Sequence, residues 1–307
     1  MKFKPSFTML VGLPASGKST WAKEHLLDGE VYLSSDAIRA ELFGSEEDQT
    51  HNGEVFQIME RRAIMALKMN HSVLYDATNL NSKRRAALLK NLQNAVHEDF
   101  YKECIIFAVP FEECCERNRN RERVVPTHAM NRMLKSFQPP WYSEGWNAIR
   151  FSKPANHNFK ETFAEVCSLR NISQDNPHHQ LTIGDHCIEA FNTAMTIESP
   201  FYSTIAIAAL LHDTGKIETQ TYTLPNGESC EEAHYYNHEN VSAYKALCMR
   251  FNNFDESWLY ISLLISLHML HYANEDTFYN TIRKFEWGGY QLRTDLELLY
   301  KCDLAAH

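Results

Sequence analysis

No apolar run in the chain approaches the ~20 residues needed to cross a bilayer, so no transmembrane helix is expected. Met1-Lys2-Phe3-Lys4-Pro5 passes straight into strand-like Phe7-Thr8-Met9-Leu10-Val11, an order that is expected to leave no room for a signal peptide. The 8 cysteines include no C-x-x-C pair, and only Cys114-Cys115 are adjacent. That argues against a disulfide framework or a zinc knuckle and points to a reducing cytoplasm. Internal repeats and low-complexity tracts are missing too. Basic residues are scarce in one half only. Residues 1–153 hold 21 Lys+Arg and 19 Asp+Glu, net +2, whereas 154–307 hold 9 and 20, net -11. The histidines divide 5 and 10 in the opposite sense. An acidic, His-rich half suits divalent cations better than broad phosphate-backbone contact, although solvated acidic surface explains most of those charges equally well.

What is present is enough for two domains. The 307 residues are 44% hydrophobic and 22% charged, so each half can bury a core. In the first half strands and helices alternate: strand Phe7–Val11, helix from about Ser19, strand Val31–Leu33, helix Val55–Lys68, strand Ser72–Tyr75, helix Lys83–Leu92, strand Cys104–Val109, an Arg-rich helix from about Phe111, and strand Ala148–Phe151. This pattern predicts an α/β domain with a parallel sheet and helices on both faces. From about Phe159 the apolar spacing is helical, notably over Thr204–Leu211, Ser242–Phe251, Ser257–Met269 and Leu292–Leu304. No comparable strand pattern is evident, so the second half is expected to be all-α. The expected boundaries are a first domain over 1–153, a linker over 154–169 that opens on Pro154-Ala155-Asn156, and a second domain over 170–307.

Gly12-Leu13-Pro14-Ala15-Ser16-Gly17-Lys18-Ser19 has the form GxxxxGK[ST] and lies between a strand and a helix, the context a P-loop requires. Backbone N–H groups of Gly12, Ala15, Ser16, Gly17, Lys18, Ser19 and Thr20 can cradle ATP phosphates at a helix N-terminus. Lys18 can reach the β/γ-phosphates, and the Ser19 hydroxyl can hold Mg²⁺. Three more elements bear on the acceptor. Asp36 and Arg39 are three apart and share a face if Ser34–Arg39 begins a helix. Asp36 could then take a hydroxyl proton and Arg39 could grip a neighbouring phosphate; an ordinary cap and a surface arginine would look the same. Asp76, Thr78 and Asn79, followed by Arg84-Arg85, sit at a strand's carboxyl end and could bind acceptor or Mg²⁺, or simply cap the next helix. Arg117, Arg119, Arg121 and Arg123 alternate, with Arg117 and Arg121 expected on one helix face. They suit a lid over a transferring phosphoryl group, or a solvated charged face.

In the second half, His186, His212-Asp213, His238, His268 and Asp303 are separated by 26, 25, 30 and 35 residues. Such gaps place donors on several helices converging in a bundle core. Imidazole mixed with carboxylate suits Mn²⁺, Fe²⁺, Ni²⁺, Co²⁺ or Zn²⁺ better than Ca²⁺. Asp213 could bridge two metals, and Lys216 could neutralise a substrate phosphate. Any single histidine here is more often a core or surface residue than a ligand, as nearby His178, His179, His234 and His271 illustrate.

Two resemblances follow. The segments GLPASGKST, SDAIR, DATNLN and RNRNRERVVP, with PPWYSEGW, resemble the 5′-polynucleotide kinase domain of phage and bacterial end-healing enzymes over about residues 6–152. The resemblance implies Lys18 and Ser19 on ATP, Asp36 as general base, Arg39 on the acceptor phosphate, Arg117 and Arg121 in the lid, and Asp76 to Asn79 on the acceptor side. NPHHQLTIGDHCIEAF, AALLHDTGK and YNHENVSA, in the order H…HD…H…H…D, are similar to the HD phosphohydrolase superfamily, most of all to the HD domain of some bacterial CCA-adding enzymes. That likeness spans about 170–307 and implies metal-dependent phosphomonoesterase or 2′,3′-cyclic phosphodiesterase activity on one or two metals. Together they lead to the expectation of a bifunctional enzyme acting on nucleic-acid ends. RNA is favoured, because cyclic phosphates need a 2′-OH, and a separate ligase would seal the strand. The rival expectations are a nucleoside or sugar kinase joined to a nucleotidase, and a non-enzymatic nucleotide-gated module.

Overall fold

The computed structural model describes residues 4–46, 50–176, 180–197, 202–285 and 291–307. His178 and His179 lie outside the described residues. In chain order the elements are β1 (Ser6–Val11), α1 (Lys18–His25), β2 (Val31–Ser34), α2 (Ser35–Phe43), α3 (Asn52–Lys68), β3 (Val73–Asp76), α4 (Ser82–Ala95), β4 (Tyr101–Ile106), α5 (Phe111–Arg119), α6 (Thr127–Lys135) and β5 (Ala148–Phe151). Then come α7 (Phe159–Ser168), α8 (Ile183–Ala194), α9 (Tyr202–Leu211), α10 (Lys216–Thr219), β6 (Thr221–Thr223), β7 (Ser229–His234), α11 (His238–Cys248), α12 (Asp255–Leu267), α13 (Glu275–Ile282) and α14 (Leu292–Ala305).

The chain forms two compact units, residues 1–130 with 144–153, and residues 131–143 with 154–307. In the first, five strands make one parallel sheet in the order β2-β3-β1-β4-β5. β1 is central, and Phe7, Met9, Leu10 and Val11 are fully buried, as expected of a strand covered on both faces. The loops after β1, β2 and β3 therefore open at one sheet edge, where α/β domains bind ligands.

The second unit is a helical bundle in which α8 packs on α9 and α14, and α12 packs on α9 and α11. Two glycines let its backbones close up. A Cβ on Gly184 would lie 2.5 Å from Arg170 N, and one on Gly215 would lie 2.5 Å from Ser242 N and 2.6 Å from His238 O. The expectation of an all-α second half needs correction, because β6 and β7 form an antiparallel hairpin. Its strands are short and mostly exposed, with Ala233 the buried position of β7, so they carry no apolar alternation. The turn Pro225-Asn226-Gly227, with Gly227 at φ 90°, was the available signal.

The expected boundaries also differ from the observed units. The stretch read as a linker contains α7, a helix closed by an Asn158/Glu161 capping box and burying Thr162 and Val166. Residues 131–143 group with the second unit. There Phe137 packs edge-on to Tyr244 at 5.1 Å, and the buried Trp141 gives its indole N–H to Phe285 O at 2.9 Å.

Candidate functional site

In the first unit the P-loop joins β1 to α1 with Ala15 at φ 61° and Gly17 at φ 95°, left-handed values that turn successive N–H groups inward. Gly12 is needed for close approach, since a Cβ there would lie 2.9 Å from Phe107 Cβ. Lys18 is buried and folds back across the loop, donating to Gly12 O at 3.0 Å and Leu13 O at 2.7 Å. Burial lowers its pKa, opposed by the Asp76 carboxylate. Ser19 Oγ donates to Asp76 Oδ2 at 2.7 Å, and Tyr32 Oη donates to the same oxygen at 2.7 Å. A P-loop hydroxyl paired with an acid at the end of the neighbouring strand β3 is the ligand set expected for Mg²⁺. Thr20 is exposed on α1.

At the end of β2, Ser34 caps α2, accepting from Ala37 N at 3.3 Å, so Asp36 is left for other work. Arg39 Nη1 donates to Asp36 Oδ1 at 2.6 Å and Nη2 to Asn52 Oδ1 at 2.9 Å, while its buried Nε has no partner among the described residues. Arg123 Nη1 lies 2.9 Å from the same Asp36 oxygen. Burial raises the Asp36 pKa, but Arg123 and Arg39 outweigh it and hold the carboxyl below its ordinary value.

Some residues expected on the acceptor side also carry structural bonds. The Asn79 amide is spent on Leu10 O (2.7 Å) and Ala77 O (3.3 Å), and Thr78 O receives Gly12 N–H at 3.0 Å, so both tie the P-loop to the end of β3. Arg84 is exposed, whereas Arg85 is buried, paired with Glu144 at 2.6 and 2.8 Å and bonded to Asn79 O at 2.9 Å. Arg117 and Arg121 do not share a helix face. α5 stops at Arg119, because the Asn118 side chain binds Val125 N and O and closes the chain into a loop. Arg117 pairs with Glu113, and its Nη1 comes 4.0 Å from the position of a Gly17 Cβ. Arg121 is close enough for its charge to lower the Lys18 pKa.

In the second unit all the expected donors are buried and come together as two triads, His186/His212/Asp303 and Asp213/His238/His268. Each imidazole turns Nδ1 to a backbone carbonyl: His186 to Ala306 (3.1 Å), His212 to Ala209 (2.7 Å), His238 to Tyr235 (2.8 Å) and His268 to Ile265 (2.6 Å). A carbonyl only accepts, so Nδ1 carries the proton and the neutral ring offers Nε2 as a lone-pair donor. Yet His186 Nε2 and His212 Nε2 are 3.1 Å apart, and His238 Nε2 and His268 Nε2 are 3.3 Å apart. Two facing Nε2 lone pairs need a cation between them, a shared proton in the metal-free cluster or a metal ion, so the donor set fits metal ions. Asp213 faces both groups, with Oδ2 3.3 Å from His186 Nε2 and Oδ1 3.1 Å from His238 Nε2.

Lys216 Nζ is also buried, 2.7 Å from Asp213 Oδ2 and 2.6 Å from Gln174 Oε1, with the Tyr235 ring beneath it. Burial raises the Asp213 pKa, but Lys216 and His212 prevail and drive it well below the ordinary value. Burial pulls His186 down, and Asp213 and Asp303 push it up to about 9. Burial, with His212 and His238 nearby, takes His268 down to about 3. Sequence reasoning passed over Tyr32, Gln174, His307 and the contact of Arg123 with Asp36. The i, i+4 spacing of Asp303 and His307 was the one local signal among them.

Residues 7–140 match a family model described as an AAA domain. Among solved structures, a chain of a Pnkp1/Rnl/Hen1 RNA repair complex is similar at 24% identity and TM-score 0.37, over 44% of this chain and 45% of that one. A chain of a second Pnkp1/Rnl/Hen1 complex matches at 26% identity and TM-score 0.33, over 41% and 42%. A fungal RNA kinase matches at 15% identity and TM-score 0.36, over 49% and 76%. The chain thus spans less than half the length of the repair-complex chains it matches. The first unit is an α/β P-loop domain, with the donors for ATP phosphates and Mg²⁺ at its sheet edge. Among the described residues no helix is long and apolar enough to cross a membrane.

Proposed function

We propose that the chain is a bifunctional enzyme of nucleic-acid end healing, in which the first unit phosphorylates 5′-OH ends from ATP and the second is an HD-type phosphohydrolase acting on 2′,3′-cyclic or terminal phosphates. The observation that supports this reading is the presence in one chain of two clusters suited to phosphate chemistry. One is a P-loop beside a base candidate gripped by two arginines, and the other a buried cluster of four Nε2-directed imidazoles and two carboxylates.

In the kinase unit, Asp36 accepts the proton of the 5′-hydroxyl as its oxygen bonds to the γ-phosphorus. The bond from that phosphorus to the β–γ bridging oxygen breaks, and ADP leaves. Lys18, Arg117 and Arg121 offset the charge on the phosphoryl oxygens. The Arg39 Nε, without a partner among the described residues, is a donor for the acceptor's neighbouring phosphate. In the second unit His186, His212, Asp213 and Asp303 would hold one divalent ion, and Asp213, His238 and His268 another. Such ions supply an activated water and a clamp on the phosphoester oxygen. Lys216 contributes a positive charge beside Asp213.

RNA is the favoured substrate, since cyclic phosphates require a 2′-OH, and sealing would fall to a separate ligase. The test is product analysis on an RNA carrying 5′-OH and 2′,3′-cyclic phosphate ends, with ATP and Mn²⁺ or Ni²⁺. Both ends should change, to 5′-phosphate and to an opened or removed 3′-terminal phosphate. Phosphate transfer to free nucleosides but not to RNA, with the cyclic end intact, would sink the reading.

A further inference from the structure

Asp303 Oδ1 is the oxygen on which one half of the buried cluster closes. His186 Nε2 lies 3.0 Å from it and His212 Nε2 3.5 Å. A third imidazole reaches the same atom: His307 Nε2 is 3.5 Å away, and its ring meets that of His186 edge-on with centroids 5.3 Å apart. Asp303 is on the last turn of α14, and His307 follows just past the end of that helix, its N–H bonded to Leu304 O at 3.3 Å. The peptide just before His307 also supplies Ala306 O, which receives Nδ1 of His186 and sets its tautomer. The Asp213 half is thinner, with His238 Nε2 at 3.1 Å and His268 Nε2 at 3.8 Å from Oδ1. His307 is 26% exposed where the side chains of Asp303 and His186 are 10% and 0% exposed, so it stands where the cluster meets solvent.

We propose that His307 is a further ligand of the metal ion held by His186, His212 and Asp303. The proposal rests on the metal-centre reading above. A third imidazole gives that half three nitrogen donors and inclines it towards Ni²⁺, Co²⁺ or Zn²⁺ over oxygen-preferring Mg²⁺.

The test titrates the metal-free full chain with Co²⁺, following heat and visible absorption together, in wild type, His307→Ala, His307→Asp and Asp303→Ala. Wild type should take up two Co²⁺. His307→Ala should bind one of them at least about 10–100-fold more weakly, the loss that removing even an outer partner of a metal ligand brings, with changed ligand-field bands. His307→Asp, which restores an oxygen donor, should recover affinity but not the wild-type spectrum. Melting of the metal-free forms reads any packing role on His186 separately. If His307→Ala matches wild type in both Co²⁺ affinity and spectrum while Asp303→Ala loses an ion, His307 is a packing residue and the proposal fails alone. If wild type takes up no Co²⁺, the metal-centre reading fails and takes the proposal with it.

Discussion

In the first unit the phosphate-binding residues are neighbours in sequence, Gly12 through Ser19, whereas in the second the metal-ligating candidates are scattered from His186 to Asp303. The first site works largely through backbone: two left-handed residues aim N–H groups, and the side chains serve to finish the cradle. The second works through side chains aimed by backbone. His212, His238 and His268 each take the carbonyl three residues earlier, so each is oriented within its own stretch of chain. His186 instead takes Ala306 O, 120 residues away, and its aim depends on α14 being docked. A contiguous loop can form its site locally; a dispersed cluster exists only when the bundle has closed.

The sharpest way to break this comparison is to disable each site alone. Lys18→Ala should cut phosphate transfer by about 10²–10³-fold, the scale for losing one preorganised charge partner, and leave phosphoester hydrolysis untouched. Asp213→Ala removes the carboxylate facing both triads and should abolish hydrolysis while kinase turnover stays at the wild-type rate. Paired end-labelling assays decide. Cross-effects of either variant on the other activity would show that the two sites are not separate machines.

Next in size is a glycine that serves the dispersed site through packing. Gly215→Ala puts a methyl 2.5 Å from Ser242 N and 2.6 Å from His238 O, both backbone atoms that cannot step aside cheaply. Overpacking of this kind costs about 1–3 kcal/mol, or about 2–4 °C in Tm per kcal/mol for a unit of this size. Since His238 is itself a metal candidate, Co²⁺ affinity should fall with Tm. Calorimetry showing an unchanged Tm would mean that α10 and α11 part to admit the methyl without cost.

The same contrast explains what was legible in the sequence. The P-loop, the parallel order of strands and the His-Asp series could be read because adjacency or strict order carried them. Tyr32 and Gln174 could not, since each acts on a residue more than 40 positions away, Asp76 and Lys216, through a single hydrogen bond. The hairpin β6–β7 escaped because exposed strands do not alternate in hydropathy. Arg121 was placed on α5 by spacing alone, and Asn118 overrode that spacing by bonding forward to Val125.

A smaller effect probes the Mg²⁺ side of the P-loop. Tyr32→Phe removes one of the two donors on Asp76 Oδ2 and leaves Ser19 as the other. A hydrogen bond to a charged group is worth about 1.5–3 kcal/mol at most. The Mg²⁺ concentration for half-maximal kinase rate should therefore move by no more than about a hundredfold, with RNA KM unchanged. A change in RNA KM instead would put Tyr32 on the acceptor side.

The smallest effect at neutral pH belongs to Arg123, and its signature lies in acid. Asp36 is 39% exposed, so losing the Arg123 pair should cost only about 0.2–1 kcal/mol of stability. Burial pushes the Asp36 pKa up; Arg123 and Arg39 pull it below 3.8. A depressed carboxylate stays ionised, and contributes its stability, above the unfolded value; both are lost as pH falls through the lower folded value. Wild-type kcat/KM for the kinase should accordingly hold until the pH is below the ordinary aspartate range, unless another group titrates first. In Arg123→Ala the desolvation is less opposed, the pKa rises, and the acid limb moves to higher pH, while Arg123→Lys restores part of the shift. A pH profile identical in all three proteins would mean that Arg123 leaves Asp36 in solution and that Arg39 alone holds the base ionised.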